Sequence, residues 1–407
     1  MAQVSITASF ATAVAALPQS FIARGVASGA SSRAMGLGAS APQCLEEEAH
    51  TLGGPLMGQD KWLGAALGND GIVYGIPGTA KSVLRVDPCT GEVSTFGGPF
   101  DGKFKWLRGV LAGNGAIYGI PANADRVLKI VPSTGEVKTI GGAFEGKWKW
   151  HGAVLAGDGN IYGIPCNADA VLKIVPDSDE VSTIGGPLEG RQKWYGGLVG
   201  GDGAVYGIPN CADSVLKVVP KTGEVSTIGK LPLGGWKWHG GVVGNDGNIY
   251  GIPAHADSVL KVLPNSGEVR TIGGPIECGA YRPNGKFKWG GAVHGPDGAI
   301  YCFPSDADRV LRIALSTEDV TLVGRPFHGP HNKWQNGFLG CDGNIYGIPC
   351  NASGVLKIVP STGEVTTVGG PWEGSDKWEG GIVARDGAMY CVPQRAKVVL
   401  KIAPTKQ

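Results

Sequence analysis

A Lys-Trp pair recurs down the chain, its indole at Trp62, Trp106, Trp150, Trp194, Trp238, Trp289, Trp334 and Trp378. The spacing is 44 residues five times, 45 once and 51 once. A fixed period in the 40s marks stacked supersecondary units, most often propeller blades. Within the copy KWHGGVVGNDGNIYGIPAHADSVLKVLPNSGEVRTIGGP, four short runs rich in Val, Ile and Tyr stand between Gly, Pro and Asp-Gly signals: Gly241–Val243, Ile249–Ile252, Val259–Leu263 and Val269–Ile272. Strands this short with closely spaced turns read as antiparallel β-sheet. Asp-Gly, as at Asp246–Gly247, suits a tight hairpin because both positions tolerate φ > 0.

The ends of the chain bear on the blade count. The last copy stops at Lys401–Pro404 without its GEVxTIGG strand, and an unpaired copy of that strand, His50–Gly54, precedes the first Lys-Trp. One N-terminal strand completing a last blade of three C-terminal strands closes a ring and removes its edges. The expectation is therefore an all-β, eight-bladed β-propeller over residues 46–407, with seven blades and a displaced copy as the alternative.

Glycine is 69 of 407 residues, at fixed places in the repeat, and so serves turns. With Lys+Arg 36 and Asp+Glu 35, the net charge of +1 gives no indication of a nucleic-acid partner. No apolar run reaches the ~18–20 residues that span a bilayer. Nine cysteines without a CxxC pair suit a reducing compartment. Residues 1–45 contain no Asp or Glu and are rich in Ala, Ser, Thr and Gly, with Arg24 and Arg33. That is transit-peptide composition, implying a plastid or mitochondrion, with a disordered leader as the alternative. The propeller is expected to be a monomer.

The longer connectors, GGPxxGxxKW and IPxxAD, fall on one side of a propeller, the upper face, and longer connectors are where binding concentrates. All 11 Trp lie in the connectors leading into the blades. A Trp repeated in every blade wedges between neighbours; the extra aromatics Phe104, Trp148, Trp236 and Phe287, two before the repeat Trp, exceed that need. Together with the Lys before each Trp they outline a ligand-binding rim: Lys105, Trp106, Lys149, Trp150, His151, Lys193, Trp194, Tyr195, Lys237, Trp238, Lys288 and Trp289. The Lys or Arg after Val-Leu, as at Lys217, is expected to pair with the Glu of TGEV or the Asp of NAD. Departures from the repeat single out His239, His255 and His294 as candidate catalytic histidines, since histidine is the usual general base or metal ligand near neutral pH. His328 and His331, and the insertion Cys278–Gly285, fall on the same side.

The core GxIYGIPxxAxxVLKIxPxTGEVxTIGGP, over residues 49–404, resembles the repeats of streptogramin (virginiamycin B) lyases and NHL-type propellers. That resemblance implies lactone opening by elimination, with upper-face histidines, a glutamate and a magnesium ion, for which His239, His255 and His294 could be analogues. The KWxGG element and the eighth blade depart from that family. Quinoprotein alcohol dehydrogenases also have eight blades and a recurring Trp, but their adjacent Cys-Cys pair is absent here. The residues lead to a non-enzymatic binding or scaffold propeller engaging a small molecule, glycan or protein, with no firmly implied cofactor. A metal-assisted lyase or hydrolase is the alternative.

Overall fold

The computed structural model describes residues 48–276 and 286–404. The leader expected at residues 1–45 and the insertion Cys278–Gly285 lie outside them. The described chain forms eight four-stranded antiparallel sheets, one per repeat, arranged as a ring of blades. Blade 1 runs Trp62–Leu67, Val73–Pro77, Val83–Val86 and Val93–Phe96 from the axis outward. Blades 2 to 7 repeat that order over residues 106–140, 150–184, 194–228, 238–272, 289–323 and 334–368. Blade 8 takes its inner three strands from residues 378–402 and its outer strand from Ala49–Leu52, with Ala49 opposite Ile402 and Leu52 opposite Val399. The ring thus closes with eight blades, as the staggered chain ends require, and a 2.6 Å Lys357–Glu48 ion pair ties blade 7 to the closing segment.

Each core lies between blades rather than within one. Tyr162, Ile164 and Val171 of blade 3, for example, pack against Trp194, Val205, Leu216 and Val218 of blade 4. The repeat Trp belongs to this seam. It opens the innermost strand instead of lying in the connector before it, is at most 4% exposed in every blade, and donates its indole N–H to the carbonyl 20 residues on, as Trp150 does to Ala170 at 2.9 Å. Burial of ~150–250 Å² of indole, at ~25 cal/mol per Å², is worth roughly 4–6 kcal/mol per blade as an upper bound.

The third-strand cation finds different partners from those expected. Lys217, Arg312 and Lys401 pair with the aspartate of their own Asp-Gly turn, Asp202, Asp297 and Asp386, at 2.9, 2.8 and 3.3 Å. Lys129 and Lys261 reach into the next blade, to Asp179 at 2.6 Å and Glu318 at 2.8 Å. The reason is register: the cation lies opposite the second-strand Tyr, as Lys217 does opposite Tyr206, and that hydroxyl is already bonded to the turn aspartate.

Candidate functional site

The lysine before each Trp is buried, and its ammonium stitches one blade to the next. Lys149 Nζ donates to the carbonyls of Ala122 at 3.1 Å, Ala124 at 2.7 Å and Gly146 at 3.1 Å. Lys105, Lys193 and Lys237 repeat that three-carbonyl cap. Lys288, also buried, has its Nζ 3.5 Å from the His255 carbonyl. Burial pushes Lys61, Lys105 and Lys149 down to about 8, and the nearby carboxylates of Asp60, Asp101 and Asp125 oppose that shift. The open rim of ammonium and indole groups expected from sequence is thus corrected: Lys105, Lys149, Lys193, Lys237 and Lys288, with Trp106, Trp150, Trp194, Trp238 and Trp289, face the seams.

Two residues before each Trp, the backbone turns left-handed. Asp60, Phe104, Trp148, Gln192, Trp236, Phe287, Asn332 and Asp376 all have φ between 49° and 58°. Their carbonyls accept the N–H of the second residue after each Ile-Pro or its equivalent, as Trp148 O does from Asn167 N at 3.0 Å. Asn at that place also latches the following blade: Asn123 Oδ1 accepts Trp148 N–H at 2.9 Å and Asn167 Oδ1 accepts Gln192 N–H at 2.8 Å. Left-handed φ is ordinary for Asn or Asp but costs about 1–3 kcal/mol for bulky residues, and such strain gathers at ligand clamps. Here it holds eight side chains in one circle around the upper mouth of the axis.

A β-bulge at the top of each inner strand aims a second circle at the axis below the first. In blade 3 Trp150 pairs with Pro165 but Ala153 with Gly163, so His151 and Gly152 bulge inward. The inward residues Leu63, Leu107, His151, Tyr195, His239, Gln335 and Glu379 are each at most 3% exposed. Beside them the inner strands touch at bare backbone, since a Cβ on Gly152 would fall 3.1 Å from Gly196 Cα. At this repeat position only Arg108 and Asn336 carry side chains, and both reach a neighbouring blade: Arg108 Nη1 to Leu63 O and Asn336 Nδ2 to Glu379 O, each 3.0 Å. Buried Arg108 and burial itself act on the ring around it. Burial, then Arg108 and His255, pushes His239 down to about 3, and burial then Arg108 lowers His151 well below the usual histidine value. Burial, then Glu379, raises Tyr195 well above the usual phenol value.

The mouth is not eightfold in chemistry. Across blades 2 to 6 its side chains are mainly aromatic and in mutual contact. Phe104 lies 5.2 Å from Trp148, Tyr195 stacks on His151 at 3.5 Å and lies tilted 4.0 Å from His239, and Trp236 lies 5.8 Å from Phe287. From blade 6 through 8 to blade 1 the belt is polar. Gln335 Nε2 donates to Ser305 Oγ at 2.9 Å and to Asn332 Oδ1; Asn332 Nδ2 lies 3.3 Å from Cys350 Sγ, itself 4.0 Å from Asp376 Oδ1. Arg395 then bridges Asp376 at 3.2 Å and Asp60 at 3.6 Å, while Gln394 Nε2 donates to Asp60 at 3.2 Å.

Of the histidines singled out by sequence, His239 and His255 come within electrostatic reach of one another, with His255 4.5 Å from the Phe287 ring. His294 ends the innermost strand of blade 6 and bonds through Nε2 to Val243 O in the seam with blade 5. The three do not form one constellation. Among the described residues no three His, Cys, Asp or Glu gather closely enough to hold a metal ion, so the magnesium implied by the resemblance finds no donor set there. His331 instead faces Asp306, with Nδ1 3.7 Å from Oδ2. The polar belt was missed by sequence reading, although its signal was present: Asp60, Asn332 and Asp376 occupy the register of the noted extra aromatics.

No protein-family model and no curated protein sequence matches the chain. Among solved structures, a streptogramin B lyase superposes with a TM-score of 0.57 at 15% identity, covering 87% of this chain and 96% of the lyase. A catalytically inactive variant of virginiamycin B lyase from Staphylococcus aureus, with quinupristin, gives 0.56 at 17% identity over 75% of this chain and 96% of the enzyme. A hydrazine synthase from Kuenenia stuttgartiensis gives 0.51 at 13% identity over 74% of this chain and 96% of that one. The likeness is one of fold. These neighbours differ in what they do, so the shared ring specifies architecture and not chemistry.

Proposed function

We propose that the chain is a binding propeller that takes a ligand at the upper mouth of its axis, with the ligand lying across the aromatic arc and against the polar belt. One observation carries this reading. Four large aromatic residues, Phe104, Trp148, Trp236 and Phe287, are held half-buried in left-handed backbone where blade packing is already served by the repeat Trp. Burial of the remaining polar ring argues for recognition over turnover, because His239, pushed down to about 3, is a poor proton acceptor at neutral pH. The test is a fragment screen by NMR on the wild-type protein and on a Trp148→Ala/Trp236→Ala double variant. Hits are expected to shift resonances around the mouth and to vanish in the variant. Hits confined to the outer faces, or unchanged in the variant, overturn the reading.

A lyase remains the second reading, favoured by the convergence of Arg108, His151, Tyr195, His239 and Glu379 from five blades. Turnover of a lactone, abolished by His239→Ala in a folded protein, would establish it; no turnover by the wild-type protein removes it.

A further inference from the structure

Each connector entering a blade lays an apolar side chain against that blade's repeat Trp, and one backbone bond fixes its place. Phe100 N–H donates to Lys81 O at 2.8 Å, and Phe144, Leu188, Leu231, Phe327 and Trp372 make the equivalent bond. In blades 2, 3, 7 and 8 this side chain is an aromatic ring standing edge-on to the indole. Phe100 lies 5.2 Å from Trp106, Phe144 4.9 Å from Trp150, Phe327 4.9 Å from Trp334 and Trp372 5.6 Å from Trp378, with planes 83°, 80°, 70° and 81° apart. Blades 4 and 5 carry Leu188 and Leu231 there. Recesses of about 300 Å³ and about 750 Å³ open beside these leucines, lined in part by Trp194 and Trp238. Leu56 and Ile276 also give Trp62 and Trp289 an aliphatic cover, so the leucine alone does not set blade 5 apart. Its connector does. Leu231 stands three residues after Ile228 and seven before Trp238, whereas Leu188 stands four after Ile184 and six before Trp194. The residue gained on the far side falls on the rim of the larger recess, where Leu233 is 87% exposed. The volume lies within the ~300–1,000 Å³ of small-molecule sites. The charges around it make no demand of one sign. Arg270 is held by Glu268 and Glu318, the Lys237 ammonium is capped by three carbonyls, and exposed Lys230 and Asp257 oppose one another.

We propose that the recess over blade 5 is a second binding site, apart from the mouth, for a small neutral molecule bearing an aryl group. The ring completes, beside Leu231, the edge-on cover of Trp238 that Phe100, Phe144, Phe327 and Trp372 give their own indoles, and Leu233 closes on it from the rim. The site does not depend on the mouth being occupied. Benzyl alcohol is the probe, with cyclohexylmethanol as its counterpart of like size and polarity without the π-system. The Trp238 indole N–H, bonded to Ser258 O at 2.8 Å on the wall of the recess, is the reporter, followed by NMR on the full chain. Benzyl alcohol is expected to shift that signal and to bind at least about threefold more tightly than cyclohexylmethanol, the margin an edge-on ring pair supplies. Leu231→Phe restores the aromatic cover of the other blades and should abolish the shift while leaving the urea midpoint unchanged or raised. Leu233→Ser, at a side chain already in solvent, should weaken benzyl alcohol without touching the fold. Trp148→Ala, confined to the mouth, should leave the shift intact, so the two sites stand or fall separately. A Trp238 signal unmoved at millimolar benzyl alcohol, or a shift that survives in folded Leu231→Phe, overturns the site. Equal binding of the two alcohols overturns its preference for an aryl group.

Discussion

The three-carbonyl lysine cap gives the most direct test of how the ring is held together. In Lys149→Met the side chain keeps its length and apolar stem but loses the cation. Three contacts of 3.1, 2.7 and 3.1 Å disappear. The Ala122 carbonyl keeps the backbone N–H of residue 149 as a donor, whereas those of Ala124 and Gly146 lose the ammonium that bonds them. Both of those bonds are part-buried, and at about 1.5–3 kcal/mol for each hydrogen bond to a charged donor the gross loss is at most about 3–6 kcal/mol. Release of the buried ammonium recovers part of it, since an ion held away from water carries a desolvation cost of several kcal/mol. The net expectation is a destabilisation of about 2–4 kcal/mol, with a similar value for Lys105→Met because its geometry is the same. Urea unfolding followed by both circular dichroism and tryptophan fluorescence measures it, with the midpoint falling at unchanged slope. A variant as stable as the parent, or more so, would refute the argument that the ammonium binds neighbouring blades to each other.

The same lysines give the protein a signed pH response. Burial lowers their folded-state value to about 8 while the unfolded chain keeps the ordinary 10.4, so between those limits the unfolded state binds more protons and their contribution to stability rises with pH; Lys149→Met should show a shallower rise than the parent between pH 8 and 9.5 in urea titrations. Deletion of residues 1–53 removes the closing strand, uncovers the edge of Val399–Ile402 and takes Ala49 from its core. Self-association visible by light scattering, with a lower urea midpoint, is expected, and a monomer of parental stability would count against closure. Arg108→Gly restores the repeat residue and takes a positive charge from beside His239; its apparent pKa by NMR should rise above about 3, and an unmoved value would contradict an axial guanidinium.

Much of the scaffold could be read from residue types because turn chemistry is local. Asp158 and Gly159 specify their hairpin within the repeat, and Asp158 binds Asn160 N–H and the Tyr162 hydroxyl only 2 and 4 positions away. The closure was legible for a different reason, because the strand motif missing after Lys401–Pro404 stands displaced at His50–Gly54. The role of the Lys-Trp pair was not local. A lysine beside an indole reads equally well as a basic aromatic rim, and only the carbonyls of Ala122 and Ala124, in the preceding blade, show that Lys149 is a buried stitch. The mouth was half legible. Phe104, Trp148, Trp236 and Phe287 stood out as more aromatic surface than packing requires, but Asp60 and Gln394, 334 positions apart, become neighbours only when the ring closes. His294 looked informative because it replaces an aliphatic residue, yet it hydrogen-bonds within a blade seam.

The ring of side chains after the repeat Trp has a further consequence for traffic through the molecule. Leu63, Leu107, His151, Tyr195, His239, Gln335 and Glu379 stopper the axis just beneath the mouth, while residues lower on the inner strands, such as Val110 and Val154, are half-open to solvent. The doughnut is therefore a cup and not a tunnel. On the binding reading, a ligand among the upper aromatics would enter and leave from above.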